Sequence, residues 1–407
     1  MGHASFMSSR QLTRTIPGWL LLMGALTALG PLAIDMYLPS FPAIVEGLGA
    51  TQGEVERTLA SYLLGMGVAQ IIYGPLADRY GRKKPLMAGL TIFTIASVAC
   101  AFSNDIEHLT LWRIVQALGG AAGIVVPRAV VRDNLDTRDA AKALSLLLLI
   151  MGVMPILGPI LGGQMLFIAG WRGIFGIMAA VGVLLLVMTL RNMQESLPPE
   201  KVVPLRIGTI ARNYWGLLRD REFICYALAG GIGGAGIFTY ISGSPRVLIN
   251  IYGVEPQYFG FLFGLCAAAL IFSSQLSARL LDRHPPDRLL KVAQVSVVVV
   301  TLIGLALTLA GWLTLPLLIL CLMGFMASQG FVNPNAAALA LSRQGHRLGV
   351  ASALMGAVQL LSGTLAGVSI SHWQSDTALP LTGILAACMV LSWLFGHLAR
   401  RAAAAGK

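Results

Sequence analysis

Long apolar runs of roughly 20 residues alternate with short polar interruptions along the whole chain. Twelve such runs lie at about 17–38, 55–77, 85–102, 108–130, 142–166, 172–191, 223–245, 256–279, 289–310, 313–339, 348–371 and 378–399. A run of that length crosses a bilayer core as one helix. Membrane strands would instead show segments of roughly ten residues with alternating polarity. The pattern therefore predicts an all-α polytopic membrane protein with twelve transmembrane helices. One interruption is long: "NMQESLPPEKVVPLRIGTIARNYWGLLRDRE", residues 192–222, is rich in charge and carries three prolines. It divides the chain into an N-terminal segment (1–16), a six-helix bundle (17–191), a linker (192–222), a second six-helix bundle (223–399) and a tail (400–407).

Composition agrees with this reading and removes some alternatives. Of the 407 residues 56% are hydrophobic and only 12% are charged, far from the balance of a water-soluble domain. The net charge of +11 would suit a nucleic-acid ligand if the cations were clustered on one surface. They are not. Of the 29 Lys and Arg, all but Arg57, Arg113, Arg172 and Arg246 fall in or beside the terminal segments and alternate loops on one side of the predicted spans. That asymmetry orients a membrane protein with both termini in the cytoplasm, and no nucleic-acid partner is expected. The five cysteines (Cys100, Cys225, Cys266, Cys321, Cys388) lie within spans without metal-ligand spacing, so no metal, cofactor or disulfide framework is expected. No nucleophile–base pair and no G-x-x-x-x-G-K-[ST] loop occurs, so neither an enzyme nor an ATP-driven pump is indicated.

Some motifs carry more. "GPLADRYGRKKPL" (residues 74–86) joins the second and third spans, and "ARLLDRHPPDRLL" (278–290) sits at the equivalent place in the second half, without the glycines. Such a trace of repetition is expected of paired bundles around a central cavity. In the first copy Gly81 permits a tight turn, while Arg82, Lys83 and Lys84 suit an anionic membrane face. The fifth span holds "GVMPILGPILGG" (152–163), where Pro159 kinks a helix and Gly152, Gly158, Gly162 and Gly163 let another approach closely. The fourth holds "LWRIVQALGGAAG" (111–123), with Arg113 one turn from Gln116.

Gly74, Asp78, Arg79, Gly81, Arg82 and Lys83 resemble the signature loop of the major facilitator superfamily. The fifth-span glycine–proline motif resembles the one that marks exporters there, and the fourth-span sequence resembles its arginine motif, with Ala117 in the usual glycine position. "IDMYLP" (34–39), taken with "PLADRYGRK", is similar to the bicyclomycin and chloramphenicol resistance subfamily of drug–proton antiporters. The resemblance implies a bacterial inner-membrane exporter of small amphipathic drugs, working as a monomer. It also implies a gating role for the signature-loop and fifth-span residues, with Asp78 engaging the N-terminal end of the eleventh helix.

Asp35 stands out among the 18 acids. The others fall in loops or within about three residues of a predicted span end, as do all six histidines. Charging a carboxylate away from water is costly, and a nearby cation offsets that cost. A carboxylate between those influences can load and release a proton. Arg113, at similar predicted depth, is the expected partner. The alternative is an acid held by interfacial water, since Asp35 lies only about 6 Å of helix from its span end. Tyr37, Gln116, Phe238, Tyr240, Asn333, Asn335 and Gln359 are candidate substrate contacts, because broad drug specificity needs apolar and aromatic walls with a few polar groups; for any single aromatic, ordinary packing is the competing role. Three functions stay open at this point: proton-driven drug export, proton-coupled export of a metabolite or siderophore, and uncoupled facilitation.

Overall fold

The computed structural model describes residues 17–198, 200, 207–345, 348–373 and 375–405. The segment 1–16 with His3, part of the 192–222 linker, His346 and the last two residues of the tail lie outside it. Among the described residues there is no strand. The helices are α1 (Gly18–Asp35), α2 (Phe41–Leu48), α3 (Gln52–Tyr80), α4 (Lys83–Ala101), α5 (Ile106–Gly120), α6 (Ala122–Asn134), α7 (Thr137–Asn192), α8 (Ile207–Arg219), α9 (Arg221–Pro245), α10 (Pro256–Leu280), α11 (Pro286–Leu309), α12 (Leu315–Leu341), α13 (Leu348–His372) and α14 (Leu379–Ala405).

Helix ends follow local chemistry. Thr51 and Glu54 cap α3 reciprocally, Glu54 N–H donating to the Thr51 hydroxyl and Thr51 N–H to the Glu54 carboxylate, a device that contributes about 1 kcal/mol. Asp105, Asp136 and Asp220 accept from backbone N–H groups at the starts of α5, α7 and α9. α7 has 56 residues and would measure about 84 Å if straight. Yet Ser196 beyond its end donates to Asp133 before its start, at 3.2 Å. The segment doubles back at Gly170, whose φ of 66° disfavours a side chain. Counting its two arms separately gives the twelve expected spans. Within the linker lies the amphipathic helix α8, and α14 continues through residue 400 to Ala405.

The first bundle comprises α1 to α7, and α9 to α14 form the second. They meet along two seams, α3 against α13 and the first arm of α7 against α10. Both seams are closed by glycine. A Cβ on Gly260 would lie 2.6 Å from Ile160 N, one on Gly163 3.0 Å from Pro256 O, and one on Gly367 3.2 Å from Ala60 Cβ. The short 3₁₀ turn Leu38–Ser40 after α1 also touches α9 and α10 of the other bundle. All these contacts lie toward the end of the molecule opposite the Gly81–Arg82 loop. Nearer the loop, Gly74 of α3 and Gly349 of α13 have nothing within 4 Å of a built Cβ. The halves are thus closely packed at the far end, and along the α3–α13 seam the contact continues inward to Leu360 against Gly67 and Gln70 against Gly356.

Candidate functional site

Arg113, on α5, is fully buried within the first bundle. Its guanidinium lies over the rings of Tyr37 (4.5 Å to the centroid) and Tyr62 (4.2 Å), contacts worth about 2 kcal/mol or more when desolvated. One terminal nitrogen donates to Ala33 O at 3.1 Å and to Gln116 Oε1 at 2.7 Å, while Nε and the other terminal nitrogen have no hydrogen-bond partner among the described residues. Gln116 in turn donates to Ser97 Oγ at 2.7 Å. The Tyr37 hydroxyl pairs with Thr58 at 2.7 Å, and Tyr62 reaches Gly30 O. Tyr37 and Gln116, expected as substrate contacts, therefore hold Arg113 in place and are themselves closed off.

Asp35 is the last residue of α1 and 2% exposed. Among the described residues its carboxylate makes no ion pair, so Arg113 is not its direct partner. The two are linked through α1 itself, since Arg113 binds the carbonyl two residues before Asp35. Asp35 packs on the fifth-span motif: a Cβ on Gly158 would sit 2.5 Å from Asp35 Cβ, and one on Gly162 would collide with Met36 O. Gly163 of the same motif faces Pro256 in the other bundle, while Gly152 faces Ile271. Asp35 leads into the Leu38–Ser40 turn, which touches α9 and α10 of the second bundle. The acid thus sits on the Gly158–Gly163 segment, beside the junction of the two bundles.

The second bundle offers a separate polar cluster. Gly233 and Gly234 of α9 face Gln329 and Asn333 of α12 and Gln359 of α13, with Asn333 Oδ1 3.4 Å and Gln359 Nε2 2.6 Å from the built Cβ atoms. Gln329 Oε1 and Asn333 Oδ1 are buried without a hydrogen-bond partner among the described residues. Asn333 and Gln359 thus both pack against α9, at neighbouring glycines. Asn335 does not join them, because its amide donates to Ser277 Oγ and Phe331 O and clips α12 to α10. Tyr240 is buried and stacked on Phe263 at 4.8 Å, and Phe238 lies against Gly363 of α13.

Two elements escaped the sequence reading. Glu56 was set aside as a span-end residue, yet it is fully buried with Oε2 unpartnered. Its Oε1 accepts from Gln52 Nε2 at 3.4 Å, and it forms no ion pair with Arg246 of the other bundle among the described residues. Arg246 donates to Ser375 O at 2.8 Å and keeps one buried nitrogen unpaired. The signal was available in two exceptions, an acid inside a run and one of the four cations outside the positive segments. The second element is Glu195. Its carboxylate accepts from Arg82 N–H (2.8 Å) and Lys83 N–H (3.1 Å), directly beneath Gly81 (φ 85°). Partial burial opposes its ionisation, but the N–H groups of Arg82, Leu197, Lys83 and Ser196 hold the carboxyl below the usual glutamate range. Around it Arg82 bridges Asp78 (2.5 Å) and Asp133 (2.8 Å), and Lys83 Nζ donates to Leu190 O at 3.0 Å. Arg79 is exposed. Asp78 pairs with Arg82, and the residues just before the eleventh helix, which it was expected to engage, lie outside the described residues.

Comparisons with known proteins agree with this architecture. The family model described as "Major Facilitator Superfamily" matches residues 23–367. The uncharacterized MFS-type transporter YdgK of Bacillus subtilis is 37% identical over 375 residues, covering 92% of this chain and 93% of that one. A bicyclomycin resistance protein homolog of Haemophilus influenzae is 30% identical over 378 residues, covering 92% and 94%. The multidrug resistance protein MdtL of Klebsiella pneumoniae is 32% identical over 382 residues, covering 92% and 93%. Among solved structures, a D-xylose-proton symporter superposes with a TM-score of 0.73 at 14% identity, covering 93% of this chain and 96% of the other. A bacterial homolog of the human lysosomal transporter Spinster, inward-facing and occupied, gives 0.69 at 16%, covering 95% and 96%.

Proposed function

This chain belongs to the Major Facilitator Superfamily, and we propose that it exports small amphipathic drugs across the bacterial inner membrane in exchange for protons. Both termini then face the cytoplasm, and the loop end of the molecule is the cytoplasmic one. The observation that carries the proposal is Asp35: a buried carboxylate without an ion pair among the described residues, packed on Gly158 beside the junction of the bundles. Ionising such a group requires compensation from water or a cation. An opening toward the periplasm supplies protons to it. An opening toward the cytoplasm lets water and drug reach it, so that drug and proton compete for one cavity. Arg113, fixed by two aromatic rings and the Ala33 carbonyl, sets the geometry of the α1 end that carries the acid. The polar cluster of Gln329, Asn333 and Gln359 supplies drug contacts from the second bundle. The named resistance relatives support the substrate class.

The loop residues then act in gating. Arg82 and Glu195 tie the second, third, fourth and sixth spans together at the cytoplasmic end, while the glycines at 158, 162 and 163 provide the close-packed surface on which the bundles rock. The test is resistance. Expression in an efflux-deficient bacterium should raise the inhibitory concentration of bicyclomycin or chloramphenicol, and a protonophore should abolish drug extrusion from preloaded cells. Extrusion that persists after the proton gradient collapses would refute proton coupling.

A further inference from the structure

The degenerate second copy of the signature loop has lost its glycines and, with them, its network. In the first copy the cations are consumed internally: Arg82 by Asp78 and Asp133, Lys83 by Leu190 O. In the second copy neither His284 nor Arg288 makes an ion pair or side-chain hydrogen bond among the described residues. Both instead line the mouth of a groove of about 420 Å³ formed by the end of α10, the start of α11 and the middle of α12. Beyond them the walls are almost entirely apolar: Leu280, Leu289, Val292, Ala293, Ala327 and Phe331, with the hydroxyls of Ser296 and Ser328. Neither acid of this loop, Asp282 or Asp287, is part of the lining.

The dimensions match one class of occupant. From Arg288 to Ser296 the groove follows eight residues of α11, about 12 Å of helix. One leaflet of a bilayer's hydrocarbon core is about 15 Å thick. The cations therefore lie at headgroup level when the apolar walls lie at chain level. We propose that this groove is a binding site for an anionic glycerophospholipid of the leaflet facing the loop end, one acyl chain lying along Val292 and Phe331 and the phosphate paired with Arg288 and His284. Charge complementarity selects an anionic headgroup over a zwitterionic one. The proposal requires only that the chain spans a membrane, and it stands or falls independently of drug export.

The probe is delipidated full-length protein titrated with phosphatidylglycerol or phosphatidylcholine of identical chains, with bound lipid counted by native mass spectrometry. Wild type should take up phosphatidylglycerol in preference. Arg288→Gln should weaken that uptake about fivefold, the effect of one cation near a membrane surface. Lys84→Gln removes the same charge from the first loop, away from the groove, and should leave uptake at the wild-type level. Val292→Trp should lower uptake by filling the groove while keeping every charge. Equal uptake of the two lipids by wild type, or equal losses in Arg288→Gln and Lys84→Gln, would overturn the site in favour of diffuse surface charge. Phosphatidylglycerol uptake unchanged by Val292→Trp would remove the groove from the account.

Discussion

Replacing Gly158 with alanine tests the seam that holds Asp35. The new Cβ would stand 2.5 Å from Asp35 Cβ and 3.4 Å from Met36 N, whereas carbon atoms rest about 3.5–4.0 Å apart. α1 and the first arm of α7 must therefore separate by roughly 1 Å. At Gly162 the obstacle is the Met36 backbone, with its carbonyl carbon at 2.8 Å and its Cα at 2.9 Å, which cannot rotate away. Overpacking of this kind costs about 1–3 kcal/mol. The intrinsic helix gain of alanine over glycine, about 1 kcal/mol, acts in the other direction. Gly176 of the second α7 arm isolates that gain, because nothing lies within 4 Å of its built Cβ. Relative to Gly176→Ala, both Gly158→Ala and Gly162→Ala should be less stable by about 1–3 kcal/mol, with Gly162→Ala toward the upper end. Reversible unfolding in mixed micelles, followed by tryptophan fluorescence, measures the difference. Drug extrusion should fall in the two seam variants and persist in Gly176→Ala. Seam variants as stable and as active as Gly176→Ala would show that the glycines are spectators.

Further expectations concern the two ends of the molecule. Glu56→Gln should loosen the far-end seal about fivefold or more, since its amide NH2 would replace the unpartnered Oε2 and stay buried without an acceptor, a cost of about 1–3 kcal/mol; labelling of a cysteine placed at Gln52 by a membrane-impermeant reagent reads this, and unchanged labelling would refute a role for Glu56 in the seal. The Glu195 carboxylate lies below its ordinary range when folded, so its contribution to the loop is complete above the unfolded glutamate value and is lost as pH falls through the folded one. Amide exchange at Arg82 and Lys83 should accordingly accelerate on acidification, and Glu195→Gln should remove that dependence.

Much of the fold was written in apolar run length. Twelve runs of spanning length leave few options once the bilayer forbids unpaired backbone, and even the α7 hairpin obeys them, because Gly170 supplies the turn that the pattern required. The linker helix α8 was hidden because charge and proline dominate the composition of 192–222, although its apolar residues fall on one face. Asp35 was visible because an acid in an apolar run is rare and functional. Its surroundings were not visible. Depth-matching along separate helices paired it with Arg113, but rotation about each helix axis decides which side chains meet, and that rotation turned Arg113 onto Tyr37 and Tyr62. The same limit hid the Ser277 partner of Asn335 and the second bundle's cover over Glu56. Distances from a span end measure depth; they do not measure burial by another half of the molecule.

The most direct test of proton exchange through Asp35 is drug-induced proton release from purified protein in weakly buffered solution, wild type against Asp35→Asn. Wild type should release protons when drug is added, while Asp35→Asn should still bind drug and release none. Equal release from both proteins would place the proton carrier elsewhere and contradict the account.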